Sequence, residues 1–166
     1  MRTRIRALLV MLLGVFALTV GTVGPALAIS PHFQSATTTG VNSNGGLTVT
    51  FTEAGLGNNA NIDYTASADA NATYACLNGG GNHPQAANKQ SSTGTVTASG
   101  SFKSDKNGSL TGSLVVNPPA STLTCPKGQK FVLASVSYSN VTITDVTHNV
   151  SEPVTGGPLT RVFFVV

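Results

Sequence analysis

Between Leu47 and Thr52 apolar and hydroxyl-bearing side chains alternate without a break, Leu47, Val49 and Phe51 on one parity and Thr48, Thr50 and Thr52 on the other. A strand is the regular element that turns successive side chains to opposite faces, so a period of two commits this segment to a half-buried β-strand. The same rule reads Ile62, Tyr64 and Ala66 as a second strand and Tyr74 with Cys76 as a short third. Val96, Ala98, Gly100 and Phe102 give a fourth, and Leu110, Gly112, Leu114 and Val116 a fifth. Asp105-Lys106-Asn107-Gly108 joins these last two, and Asn-Gly between alternating runs is a hairpin signal. Pro118-Pro119 then ends the fifth, because proline cannot donate to a ladder.

From Phe131 to Val146 the pattern continues but changes parity. Val132, Ala134, Val136 and Tyr138 share one face, Val141 and Ile143 the other, which predicts a bulge or bend near Ser139-Asn140. Leu159 to Val166 is apolar on both faces from Val162 onward and reads as a covered central strand, although an end strand beneath a loop would read the same. No segment sustains a period of 3.6. The expected fold is all-β, an immunoglobulin-like β-sandwich of about seven strands with one disulfide, and a small β-barrel is the alternative. The chain has no Trp, so the core Trp of antibody domains is absent.

The N-terminus constrains the compartment. Arg2, Arg4 and Arg6 precede an apolar run from Ala7 to Val20, Gly24-Pro25 interrupts it, and Ala26-Leu27-Ala28 has the small-x-small form of a cleavage site. Residues 1–28 are therefore expected to be a signal peptide, and residues 29–166 a single secreted β-sandwich domain. The apolar run of roughly 14 residues is short for a membrane span, so no membrane anchor is expected after cleavage. Cys76 and Cys125 are the only cysteines, and an oxidising compartment makes one disulfide the expected state. The rivals are a metal pair, for which no histidines stand at ligand spacing, and a nucleophile. The bridge would close a loop of roughly 50 residues and contribute about 4 kcal/mol in the chain-entropy model.

The whole chain carries a formal charge of +3, but three of its nine basic residues lie in the signal segment. After cleavage the basic residues balance Glu53, Asp63, Asp69, Asp105, Asp145 and Glu152. A neutral domain without a basic cluster has no footprint for nucleic acid or for anionic membranes.

The search for chemistry finds little. The Gly-x-Ser-x-Gly elbow is absent, and His32, His83 and His148 stand at no diagnostic spacing from Ser or carboxylates, so each reads as a surface or loop residue. Paired carboxylates for glycoside hydrolysis have no sequence signal that selects one pair. No metal site and no cofactor are expected. One loop does stand out: Asn78-Gly79-Gly80-Gly81-Asn82-His83-Pro84 follows Cys76 directly. Consecutive glycines allow positive φ and close backbone approach, while Asn78, Asn82 and His83 supply donors and acceptors for a polar ligand such as a sugar. The same composition also serves as a plain connection.

Several segments together carry a resemblance: Ser30-Pro31-His32-Phe33, Glu53-Ala54-Gly55-Leu56-Gly57-Asn58-Asn59, Tyr74-Ala75-Cys76 with the glycine loop, and Cys125-Pro126-Lys127-Gly128-Gln129. With Ser135 to Val141 they make the chain similar to a group of small exported bacterial proteins. That resemblance implies a bacterial, secreted origin and supplies no activity. The leading expectation is thus a non-enzymatic extracellular β-domain whose partner is a glycan or another surface ligand, such as a protein. A secreted hydrolase with a site assembled from dispersed loops is the second reading. A protease inhibitor presenting Cys125-Pro126-Lys127-Gly128 is the third.

Overall fold

The computed structural model describes residues 29–78 and 88–166, and these form eight strands in two antiparallel sheets. The strands are β1 (His32–Val41), β2 (Leu47–Ala54), β3 (Asn61–Leu77), β4 (Lys89–Lys103), β5 (Leu110–Val116), β6 (Lys130–Asp145), β7 (Val150–Pro153) and β8 (Thr160–Val162). One sheet has the order β1-β2-β5, and the other runs β4-β3-β6-β7 with β8 also on β6. The two sheets make the chain a β-sandwich and not the small β-barrel that the same alternation also allowed.

The core follows the period of two. Leu47, Val49 and Phe51 on β2 are fully buried and meet Ile62, Tyr64 and Ala66 from the facing sheet. Phe33, Phe51, Tyr64 and Phe102 pack edge to face or tilted, with centroids 4.5–6.3 Å apart, a geometry that aligns ring edges with ring faces. The bulge expected near Ser139-Asn140 is present. Asn140 has φ 50°, and the pairing of β6 with β3 slips between Ser67 and Asp69, so Tyr138 before it and Val141 after it are both buried.

Other expectations need correction. The second and third expected strands are one, the 17-residue β3, whose middle buries Ala66, Ala68, Ala70 and Ala72. Alanine is depleted in strands and hides the alternation. Strand β1 shows little apolar alternation because Thr38 occupies a buried position, its hydroxyl accepting from the Gly40 N–H at 3.1 Å. Val132 and Ala134 do not share a core with Val136. A second slip, between Thr73 and Tyr74, separates them, and they cluster with Ala75 against Leu77 and Val166. The C-terminal run is not a central strand, since only Thr160–Val162 pairs, along β6, and Val162 is 60% exposed. Its apolar residues instead drape over the sheet, with the Phe163 and Phe164 N–H groups both donating to Ala134 O.

Strand directions sort the connections to two ends. The 55–60 loop, the 104–109 hairpin and the 146–149 turn lie at one end, beside His32. The 42–46 turn, the end of β3, the start of β4 and the 117–129 loop lie at the other.

Candidate functional site

The end of β3, which leads into the glycine loop, lies at the second end. Cys76, fully buried at the end of β3, is bonded to Cys125 in the 117–129 loop, with Cα atoms 5.5 Å apart. The bridge joins a strand to a loop, and not two strands. Asn78 follows one residue beyond β3 and is exposed, while Asn82 and His83 lie outside the described residues. Pro126-Lys127-Gly128, the inhibitor-like segment, is an exposed turn closed by the Gln129 N–H on Pro126 O at 3.1 Å. Residues 118–122 reach across to β3 and β4: Tyr74 donates to Pro119 O at 2.8 Å, and Gln90 and Ser121 bond at 2.6 Å.

The opposite end holds a feature that the sequence reading passed over. Glu53, 0% exposed, is the next inward position after Leu47, Val49 and Phe51 on β2. Asp145, also fully buried, is the next inward position after Val141 and Ile143 on β6. Two carboxylates at core parity were the available signal, because a charged residue in the buried register needs a partner. Each has one. Tyr64 donates to Glu53 Oε2 at 2.7 Å, and Asp145 accepts from the His148 backbone N–H at 3.0 Å with His148 Nδ1 2.6 Å from its Oδ2. Glu53 Oε1 has no hydrogen-bond partner among the described residues. Burial raises the Glu53 carboxyl above its ordinary range; the Tyr64 hydroxyl opposes this, and nearby Asp145 adds to it. Burial, with Glu53 second, likewise raises the Tyr64 phenol. His148 is a loop residue, half-buried in the 146–149 turn, whereas His32 is exposed and its Nδ1 lies 2.8 Å from Ser30 O. Outside this cluster, Ile29, Gly55, Gly57, Asn58, Lys106, Asn107 and Gly108 wall a shallow cavity of about 370 Å³. Gly55 is obligatory there: its φ is +78°, and a Cβ would stand 2.1 Å from Ser30 O.

The outer face of the β4-β3-β6 sheet is lined by polar side chains. Its outward positions are Asp63, Thr65, Ser67, Asp69, Asn71 and Thr73 on β3, the serines and threonines at odd positions of β4 from Ser91 to Ser101, and Ser135, Ser137, Thr142 and Thr144 on β6. Their side chains pair across strands. Thr65 with Ser99, Ser67 with Thr142, and Thr144 with Ser151 all stand at 2.8 Å, and Ser101 donates to Asp63. Asp69 accepts from Asn140 Nδ2 and Thr95 Oγ1, both at 2.8 Å, and these bonds, Asn140's first, hold its carboxyl below the usual range. A hydroxyl has one donor and two acceptor sites, so each bonded pair keeps a free donor and free lone pairs for a ligand. Two depressions indent this face. One of about 390 Å³ runs along Asp63, Thr65, Ser99 and Ser101, and one of about 170 Å³ lies between Asn71, Thr73, Ser135 and Ser137 beneath Thr160 and Val162.

Among the described residues no group of three His, Cys, Asp or Glu side chains is placed to hold a metal ion. Comparison of the chain with protein-family models, with curated proteins and with solved structures gives no match.

Proposed function

We propose that this chain is an exported, disulfide-bonded domain that binds a glycan through the outer face of its β4-β3-β6 sheet. The observation that carries the reading is the ladder of paired hydroxyls and amides across three strands. Its side chains are small and held by their neighbours, so little rotamer entropy remains to be lost on binding. Sugar hydroxyls both donate and accept, which is what free donors and lone pairs on a Ser/Thr ladder complement. The carboxyl oxygens of Asp69 and Asp63 add acceptors along the same face.

Export is the companion reading. It draws on the charged, apolar and small-residue series of residues 1–28, on the Cys76–Cys125 bridge and on the likeness to small exported bacterial proteins. Among the described residues no helix is long and apolar enough to cross a membrane. An immunoglobulin-like kinship is supported by the strand order, in which β1-β2-β5 faces β4-β3-β6-β7 and the chain passes between sheets after β2, β4 and β5. The bridge departs from that pattern, since it does not join the two sheets.

The test is binding of residues 29–166 to a glycan array and to insoluble polysaccharides. Thr65→Ala with Ser99→Ala should weaken the best ligand about tenfold or more, the loss of a hydrogen-bonded pair at the contact. Asn82→Ala with His83→Ala should leave it unchanged. The reverse result, with both proteins folded, would move the site to the glycine loop.

A further inference from the structure

The two long edges of the sandwich differ. The outer edge of β1 is covered by residues 154–158: Thr155 O accepts from the Thr38 N–H at 2.9 Å, the Thr155 N–H donates to Ala36 O at 3.0 Å, and Pro158 O accepts from the Val41 N–H at 3.2 Å. The outer edge of β4 has no such cover among the described residues. Among the described residues β4 pairs only with β3, over an unbroken register from Lys89 opposite Ala75 to Lys103 opposite Asn61. The 118–122 segment meets it through the Gln90 and Ser92 side chains. A free 15-residue edge normally carries a charge, a proline or a bulge that blocks pairing. Between its terminal lysines β4 has none of these.

We propose that β4 pairs antiparallel with β4 of a second copy of this chain, about a two-fold axis at Thr95, joining two five-stranded sheets into one. A two-fold contact must be self-complementary, and the sequence of β4 is so in this register. Thr93 meets Thr97 of the partner and Ser91 meets Ser99, hydroxyl opposite hydroxyl, the pairing that Thr65 and Ser99 already make within the sheet. Centring on Val96 instead would set Lys89 against Lys103 twice. Centring on Thr95 sets Lys89 opposite Ser101, beside the exposed carboxylate of Asp63, and gives one opposite-charge neighbour on each side of the axis. The outer hydroxyl face would continue across the dimer, but the pairing does not rest on what that face binds.

The experiment is sedimentation of residues 29–166 across a concentration series, with circular dichroism to confirm folding. The native chain should move from one to twice the monomer mass. Thr93→Lys with Thr97→Lys, which sets lysines opposite each other twice, should stay monomeric. Thr93→Lys with Thr97→Asp, which sets Lys opposite Asp only in this register, should dimerise again. Both variants alter exposed side chains and leave the β3 pairing in place. Hydrogen exchange gives a readout without substitution: amides of 91–99 should gain protection as concentration rises. A native chain monomeric throughout, capture of a foreign extended peptide by that monomer, a dimer that survives the double-lysine change, or a folded Lys/Asp variant that stays monomeric would each overturn the proposal.

Discussion

The two ends of the sandwich are closed by different chemistry. At one, a covalent bond ties the end of β3 to the 117–129 loop. At the other, two buried carboxylates are held by a tyrosine hydroxyl and by the 146–149 turn. The difference matters because the two devices act on different states. A disulfide stabilises mainly by restricting the unfolded chain, and it does so at any pH at which the bond survives. A buried carboxylate stabilises only while its partners remain, and its contribution depends on its protonation. One end is therefore tied whatever the solution, and the other is conditional on it.

The largest effect tests the covalent end. Cys76→Ala with Cys125→Ala should cost about 4 kcal/mol, from closing a loop with a sequence separation of 49. Denaturant unfolding measures it as a fall in midpoint. The loss should be nearly the same at acid and neutral pH, since no titrating group is removed. A loss that varied strongly with pH would mean that the two ends are coupled. Retention of the native midpoint would mean that the packing of Tyr74 on Phe131 and on Pro119 holds this end without the bond.

A middle-sized effect tests the other end. Tyr64→Phe removes the one donor to Glu53, leaving a fully buried carboxyl with no partner among the described residues. The expected loss is about 1–3 kcal/mol, the desolvation cost of an unpaired buried group. In a Glu53→Leu background the same change should cost much less, and that coupling separates the hydrogen bond from the loss of packing around the ring. Additive losses would sink the pairing.

The contrast also marks what the sequence could reveal. The bridge was legible because the chain has two cysteines and therefore one possible pairing. The sandwich was legible wherever Val, Leu, Ile and Phe alternate with Thr, as on β2 and β5. Strand β1 and the middle of β3 were not, because threonine and alanine fill their inward positions. The polar cluster was half-legible. Glu53 and Asp145 extend the inward parity of Phe51 and Ile143, but partners ten or more residues distant, such as Tyr64 for Glu53, become apparent only once the sheets are stacked. His148 lies three residues from Asp145, and only the turn between them brings the ring back. The hydroxyl ladder was visible as composition, yet which threonines share a row depends on the β3 register.

The smallest effect gives the sharpest contrast between the ends, because it depends on pH alone. Burial, reinforced by Asp145, raises the Glu53 carboxyl above its ordinary value of 4.5, so the fold favours the neutral acid. The sign follows from linkage. A carboxyl whose folded value lies above its unfolded value contributes stability that is complete below about pH 4.5 and is lost as pH rises through the folded value. Glu53→Gln keeps the shape and an oxygen for Tyr64 but cannot ionise. At low pH the native chain should be the more stable, because an amide brings two hydrogens that need acceptors where the acid brings one. As pH rises the native chain should lose that lead, and the difference should stay below the loss seen for Tyr64→Phe. Every other ionisable group is common to both proteins, so its contribution largely cancels in the difference. Urea midpoints from pH 4 to pH 9 measure it. Parallel profiles would show that folding does not shift the Glu53 carboxyl, and that this group adds no pH dependence to its end of the sandwich.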